Sequence, residues 1–524
     1  MVVTGAKRTE RKLERLAIMG IMYAARIKCL GIFPRCAGKQ RMSQRALAGA
    51  AIVLSCLGCA TVGPDYVKPR DTAPLLWNTD LDESLKAQTM DTQALATWWR
   101  TLEDPLLGGL IDSAVKGNLD RKEALARLRQ ARAQRTVAAA GLFPALNAGG
   151  SGTKSKQGGS SDVSTSYKAN LDATWEIDLF GGTRRSVQAA EADLQAAQDD
   201  VNAVMVSLCA EVALNYIELR TTQARIAAAQ ANIAIQEQAV SLEQVRHTAG
   251  LSDALAVQQA LANLESTRAQ IPTLSTSLEA SMNALAVLLG ETPGAMKRSL
   301  AVPLPIPAVP PQLLVGVPAD AVRNRPDVRK AERELAAQTA RVGVATAELY
   351  PKITLTGSLG TMALSSGDLF TAGSRFYSYG PGISLPIFKA GSLRAAVKVQ
   401  SALQEQALYR YEASVLTALQ EAENAASAYV KELSRRDTLA RAVLAAQEAQ
   451  SLAQDKYVAG LTSFDTVLDA QRTLTTLQDN LAQSTGNVAG NLVQLYKALG
   501  GGWTPGADAG NDQNPSWGAN HEQD

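Results

Sequence analysis

Two stretches of this chain, residues 183–249 and 392–459, contain neither glycine nor proline. At the 1.5 Å rise of an α-helix, each stretch is a rod of ~100 Å, far longer than the helices of an ordinary globular domain. Apolar residues recur along them in alternating steps of three and four. The first stripe is Val201, Met205, Leu208 and Val212, with Leu219 a heptad later; the second is Leu408, Tyr411, Val415, Leu419, Ala422, Ala426, Tyr429 and Leu433. That spacing is a coiled-coil seam, and its alanines let helices approach closely. Composition agrees, since aromatics are only 5% and charged residues 19% of the chain, a poor recipe for an α/β enzyme core.

The two stretches belong to an internal duplication with an offset of roughly 210 residues. Gly141-Leu142-Phe143-Pro144 matches Glu348-Leu349-Tyr350-Pro351, and Asp178-Leu179-Phe180 with Gly182 and Arg184 matches Pro386-Ile387-Phe388 with Gly391 and Arg394. Ala249-Gly250-Leu251-Ser252 matches Ala459-Gly460-Leu461-Thr462, and Leu288-Leu289-Gly290 matches Ala498-Leu499-Gly500. Gly250 and Gly460 read as C-cap glycines that end the long helices. Ser252 and Thr462 are the expected N-caps of returning helices, the first of which should kink at Pro272. A proline-rich linker over 303–318 separates the halves.

The opposite end of each half has a period of two. Tyr167, Ala169, Leu171, Ala173, Trp175, Ile177 and Leu179 alternate with Lys168, Asn170, Asp172, Thr174, Glu176 and Asp178. Ile353, Leu355 and Leu359 alternate with polar neighbours, and Tyr377, Tyr379, Ile383, Leu385 and Ile387 form another apolar set. A weaker strand spans residues 145–156. Strands of ~9–11 residues, apolar outward and polar inward, are the pattern of a transmembrane barrel. A soluble sandwich would need a second apolar layer, which nothing in the chain supplies. Four strands cannot close alone: two chains give eight strands, a barrel filled by its own side chains, and three give twelve. The expected fold class is therefore mainly α with transmembrane β, a duplicated strand–strand–long-helix plan.

Residues 42–58 have a positive start at Arg45 and a short apolar run, followed by Leu57-Gly58-Cys59. This resembles a lipoprotein signal that leaves Cys59 as the acylated first residue, with Cys56 the alternative. Residues 1–41 then read as an over-extended start, 59–104 as an extended N-terminal segment and 504–524 as a disordered tail. The first repeat is expected over 105–290, with strands near 144–157 and 165–180 and helices near 183–249 and 252–289. The second is expected over 319–500, with strands near 351–363 and 376–388 and helices near 392–459 and 462–499.

Other classes of function find little here. Fifty-two basic residues balance 50 acidic ones, a net charge of +2 that gives no electrostatic case for nucleic acid. Only His247 and His521 are histidines, and the five cysteines have no metal-ligand spacing. No phosphate loop and no catalytic constellation appears, so neither an enzyme nor a cofactor is expected.

The lipoprotein signal, Val62-Gly63-Pro64-Asp65-Tyr66 after it, the duplicated plan and Leu468-Asp469-Ala470-Gln471-Arg472 together resemble the TolC-like outer-membrane efflux factors. Within that family the chain is similar to the lipoprotein branch typified by NodT and OprM, from about residue 59 to Trp503. The resemblance implies a homotrimer: a twelve-stranded β-barrel in the outer membrane, lipid-anchored and continued by a twelve-helix α-barrel through the periplasm. It also implies a periplasmic adaptor (membrane fusion) protein and an inner-membrane pump of the resistance–nodulation–division (RND) type as partners. Asp465, Asp469 and Arg472 share one helical face, and by resemblance Asp469 and Arg472 match the family's periplasmic gate. The hairpin turns at Gly250, Leu251, Gly460 and Leu461 would touch the adaptor. The exit duct of a type I protein-secretion system and a periplasm-spanning coiled-coil scaffold are the alternatives to a pump conduit.

Overall fold

The structure, a computed structural model, describes residues 61–70, 77–78, 85–87, 92–156, 158, 163–310, 313–315 and 318–504. Cys56, Cys59, the expected signal and the expected tail beyond Thr504 lie outside them. In chain order the elements are β1 (Leu85–Ala87), α1 (Thr92–Ala96), a 3-10 turn (Trp98–Leu102), α2 (Pro105–Gly117), α3 (Leu119–Ala140), β2 (Ala145–Lys156) and β3 (Val163–Ile177). Then follow α4 (Gly182–Thr248), α5 (Ala254–Arg268), α6 (Gln270–Leu288), α7 (Lys297–Leu300), β4 (Leu313–Val315), α8 (Pro318–Asn324) and α9 (Pro326–Ala347). The chain closes with β5 (Lys352–Ala363), β6 (Arg375–Ser384), α10 (Ser392–Val458) and α11 (Phe464–Ala498).

The long helices α4 and α10 are each 67 residues. Both begin after a glycine with positive φ, Gly181 at 82° and Gly391 at 81°. The seam residues face inward as their spacing demands: Val201, Leu208, Val212 and Leu219 are buried on α4, and Tyr411, Val415, Ala422, Ala426 and Tyr429 on α10. Toward the sheet, α3, α4, α9 and α10 are successive neighbours; away from it the order is α5 and α6, α4, α11, α10. The helices of each half therefore stay together, and the two halves pack side by side, α4 of the first meeting α9 and α11 of the second. Where the groups cross, a core of Leu107, Ile111, Tyr216, Leu219, Leu285, Leu492 and Leu495 takes in Trp98, whose indole stacks on Tyr496 with centroids 5.3 Å apart.

Four strands form one antiparallel sheet in the order β2-β3-β5-β6, which leaves β2 and β6 as open edges. The strand expected to run to Leu179 stops at Ile177. Asp178 leaves the ladder to accept hydrogen bonds from the backbone N–H groups of Thr183 (3.1 Å) and Arg184 (2.8 Å), capping the exposed donors of α4. The strand expected over 376–388 ends at Ser384, two residues before Pro386, which cannot donate to a ladder. Pro381 lies in β6, an edge strand of this chain's own sheet, where prolines within sheets are usually found.

The returning helices correct two expectations about caps. Ser252 does not cap α5: its hydroxyl donates to Glu243 (2.8 Å), and Asp253 accepts from the Ala256 N–H instead (2.9 Å). Thr462 donates to the Thr466 hydroxyl (3.0 Å), and α11 starts after Ser463 without a side-chain cap. In both cases the helix starts one residue later than expected, so that Asp253 and Ser463, not Ser252 and Thr462, hold the N-cap position. The first return is broken between α5 and α6 at Ala269, one turn before Pro272, whose missing N–H leaves the carbonyl of Arg268 without its helical donor. Its counterpart α11 has no proline and runs unbroken for 35 residues.

Candidate functional site

A conduit's chemistry resides in its walls and its mouths, and the fold places the informative residues at both ends. At the helical end the two turns are the same motif built twice. Gly250 N–H donates to His247 and Leu251 N–H to Arg246 (2.9 and 2.8 Å), while Gly460 donates to Tyr457 and Leu461 to Lys456 (3.0 and 2.8 Å). Both are Schellman closures, and they require the positive φ of Gly250 (72°) and Gly460 (75°). Each turn leaves its leucine in solvent, Leu251 at 69% and Leu461 at 77% exposure.

Behind the turns, the halves are joined through a buried carboxylate. Glu243 of α4 is fully buried and accepts from the Tyr457 hydroxyl of α10 (2.7 Å) and from Ser252 (2.8 Å). The Arg246 guanidinium lies 4.6 Å from the centroid of the same tyrosine ring, and Phe464 packs on it at 5.3 Å. Burial, followed by the bond to the carboxylate, pushes the Tyr457 phenol up to about 12. Phe464, Val467 and Leu468 then fix the first turns of α11 against Val240, Ala256, Ala260 and Leu264.

That packing decides where the expected gate residues stand. Since Phe464, Val467, Leu468, Gln471 and Leu474 are buried, Asp465, Asp469 and Arg472 are left together on the exposed face. Asp469 Oδ1 and Arg472 Nη1 are 3.9 Å apart at 80% and 54% side-chain exposure, a loose and weak pair. The firmer contact was not anticipated: Arg472 Nε donates to Asn263 Oδ1 of α5 (3.2 Å), so this arginine ties the second half to the first. Asn263 is buried, and its own Nδ2 has no hydrogen-bond partner among the described residues. Further along, the contact between α4 and α11 stays polar. Arg225 holds Asp479 with two bonds (2.7 and 3.0 Å) and Gln483 with a third (2.9 Å), and Asn232 donates to Gln478 (2.8 Å). Neither Asn263, Glu243 nor Tyr457 carries a local sequence signal, because each acquires its partner from more than 200 residues away or from a turn.

At the other end the register sorts the sheet into two faces. Leu171 is opposite Ala148 and Leu359, and Leu359 is opposite Tyr377; Trp175 is opposite Leu355, and Ile353 is opposite both Ile177 and Ile383. Leu171, Leu359, Tyr377, Tyr379 and Ile383 are exposed on that face. The reverse face carries Asn147, Lys168, Asn170, Asp172, Thr174, Glu176, Thr354, Thr356, Ser358 and Ser378. An apolar surface of this extent without a covering layer is a surface for lipid, with the polar face toward water.

Where strand gives way to helix, residues 61–70 cross both halves as an extended strap. Val62 N–H donates to the Phe180 carbonyl (3.0 Å). The buried Arg185 donates to the carbonyls of Val62 (3.2 Å) and Gly63 (3.3 Å) and to Asp65 (2.7 Å). Tyr66 donates to Glu332 (3.0 Å), which also receives Lys68 (3.2 Å). These bonds give the Val62–Tyr66 motif its structural reason. No cluster of His, Cys, Asp and Glu able to hold a metal occurs among the described residues.

Comparison with known proteins agrees with this architecture. The family model described as outer membrane efflux protein matches residues 110–291 and 317–501, one match for each half. Nodulation protein T of Rhizobium leguminosarum bv. trifolii is 34% identical over 458 residues, covering 86% of this chain and 96% of that protein. The toluene efflux pump outer membrane protein TtgC of Pseudomonas putida is 31% identical over 486 residues, covering 90% and 98%. Among solved structures, the outer-membrane channel OprN aligns with a TM-score of 0.80 at 37% identity, over 85% of this chain and all of that one. The open state of the Neisseria gonorrhoeae MtrE outer membrane channel aligns at 0.74 and 29% identity, over 85% and 99%. With both halves matched and relatives covered almost end to end, this chain belongs to the outer membrane efflux protein family.

Proposed function

We propose that this protein is the outer-membrane channel of a tripartite efflux pump, a passive conduit for small molecules. The observation that carries the proposal is the two-faced sheet with open edges at β2 and β6. Its unpaired edges need partners, and copies of the same chain supply them: three sheets of four strands close a twelve-stranded barrel. The helices below continue the wall as a twelve-helix tube, again with the edge helices of one copy meeting those of the next. The relatives named for efflux pumps support the role, and a lipid on Cys59, with Cys56 as the alternative, would add an anchor to the barrel's own. A channel of this kind needs no catalytic group and no cofactor. A scaffold, by contrast, has no use for the exposed apolar face.

In this reading Leu251 and Leu461, held out on rigid turns, are contacts for the periplasmic adaptor, through which the tube meets an RND-type inner-membrane pump. Asp465, Asp469 and Arg472 line the closed mouth three times over, with Arg472 latched to Asn263. The exported compound is selected by the pump rather than by the duct. The test is single-channel conductance of the purified protein in a planar bilayer. Wild type should give small openings and Asp469→Ala larger ones. An unchanged closed level in both Asp469→Ala and Arg472→Ala channels would remove the gate from these residues.

A further inference from the structure

The polar face of the sheet carries one arrangement that a water-filled wall does not require. Lys168 of β3 extends across β5 to place its ammonium 5.2 Å from the centroid of the Phe376 ring on β6. It can do so because the intervening position is Gly360, which pairs with Asn170 on one side and with Phe376 on the other. The backbones are so close there that a Cβ on Gly360 would come 2.3 Å from the Ala169 carbonyl oxygen and 2.8 Å from Asn170 Cα. Met362, directly opposite Lys168, is the other large apolar residue on this face. Lys168 has no carboxylate within ion-pair distance among the described residues, whereas Lys352, at the other end of the same face, is paired with Glu348 (2.6 Å) and approaches Glu176 (3.9 Å). A cation held on an aromatic ring keeps its full charge and a fixed position, unlike a lysine moving freely in solvent.

From this we propose that Lys168, Phe376 and Met362 form a cationic, apolar-lined collar inside the barrel, near the end farther from the helices, that makes the exit anion-favouring. The collar rests on the channel reading above, since three copies are needed to close it. Twelve strands ~4.8 Å apart and tilted ~40° give a backbone radius of ~12 Å. Lys168 then stands ~6–7 Å from the axis, within one Debye length at 0.1 M salt. Three such charges taken alone enrich a monovalent anion on the axis about four- to sevenfold and deplete a cation by the same factor, and the three copies of Asp172, nearer the helices on the same face, reduce it. The helical mouth, with Asp465 and Asp469, has the opposite sign. The fixed charges at Lys168 and at Asp465 and Asp469 thus have opposite signs at the two ends of the tube.

The experiment is the reversal potential under a KCl gradient, using full-length Asp469→Ala channels so that the helical mouth does not limit the current. Lys168→Gln should lower the anion-to-cation permeability ratio several-fold, and Lys168→Glu should turn the preference toward cations. Phe376→Leu, which removes the ring but keeps the charge, should lower it less. Lys154→Glu, on the lipid-facing side of β2, should leave it unchanged. Conducting channels whose selectivity is the same in Lys168→Glu would overturn the collar while leaving the channel intact. An equal shift from Lys154→Glu would overturn the assignment of faces. Folded trimers that never conduct would overturn the channel reading itself.

Discussion

Removing one oxygen atom at the helical tip tests how this end is held. Tyr457→Phe keeps the ring on which Arg246 and Phe464 rest, and takes away only the hydroxyl that Glu243 Oε1 accepts at 2.7 Å. Glu243 is fully buried, so water does not replace the lost donor, and Oε2 keeps its bond to Ser252. A buried hydrogen bond to a charged acceptor contributes about 1.5–3 kcal/mol. Arg246 sets the lower end of that range, because its unpartnered Nε stands beside the same ring and can turn toward the freed oxygen. The loss falls on local opening of the tip rather than on the distant core, so hydrogen exchange measures it directly. Amides of residues 240–249 and 457–468 should exchange roughly 10- to 150-fold faster, at 1.4 kcal/mol per factor of ten, while amides around Tyr216 and Leu492 hold their rates. Adding Arg246→Gln to Tyr457→Phe should move the effect to the upper end. Tip rates within about twofold of wild type in the double variant would refute the carboxylate as a tie between the halves, and equal acceleration in the core would show the effect is not local.

Three other outcomes are expected. Gly486→Val should prevent accumulation of folded protein, because a Cβ at 486 would come 1.9 Å from the Thr221 hydroxyl and force α4 and α11 apart; a sizing-column profile equal to wild type would contradict this. Arg185→Met should release the strap at Val62 and Gly63 without unfolding the helices, read as cleavage within residues 61–70 under limited proteolysis; strap protection equal to wild type would count against the clamp. Burial pushes the phenols of Tyr216, Tyr429 and Tyr457 up to about 12, so between pH 10 and 12 the unfolded chain sheds protons that the folded chain keeps. Thermal stability in detergent should therefore be level in this respect below pH 10 and decline from pH 10 to 12, and a level curve across that window would contradict it.

Periodicity made the helices and strands legible because it records which side of an element meets water, and that record is local. The 67-residue rods, the alternation from Tyr167 to Ile177 and the paired turns at Gly250 and Gly460 are each written in neighbouring residues. Element ends were less legible, since Asp178 and Ser252 each choose among several nearby partners, and only the folded chain brings the better one into reach. Asp465, Asp469 and Arg472 could be placed on one face by counting, yet the bond from Arg472 to Asn263 spans 209 positions and has no trace in either segment.

The sequence alone thus determined the duplication, the long helices, the two-sided strands and the need for further copies to complete a barrel. Four strands with one apolar face admit no closed solution within a single chain. Tertiary structure decided what joins one half to the other: the packing of α4 against α9 and α11, the carboxylate of Glu243 between Ser252 and Tyr457, and the reach of Lys168 across Gly360 to Phe376. These contacts depend on the register between segments folded side by side, and register is set by packing over the whole molecule rather than by any short run of residues.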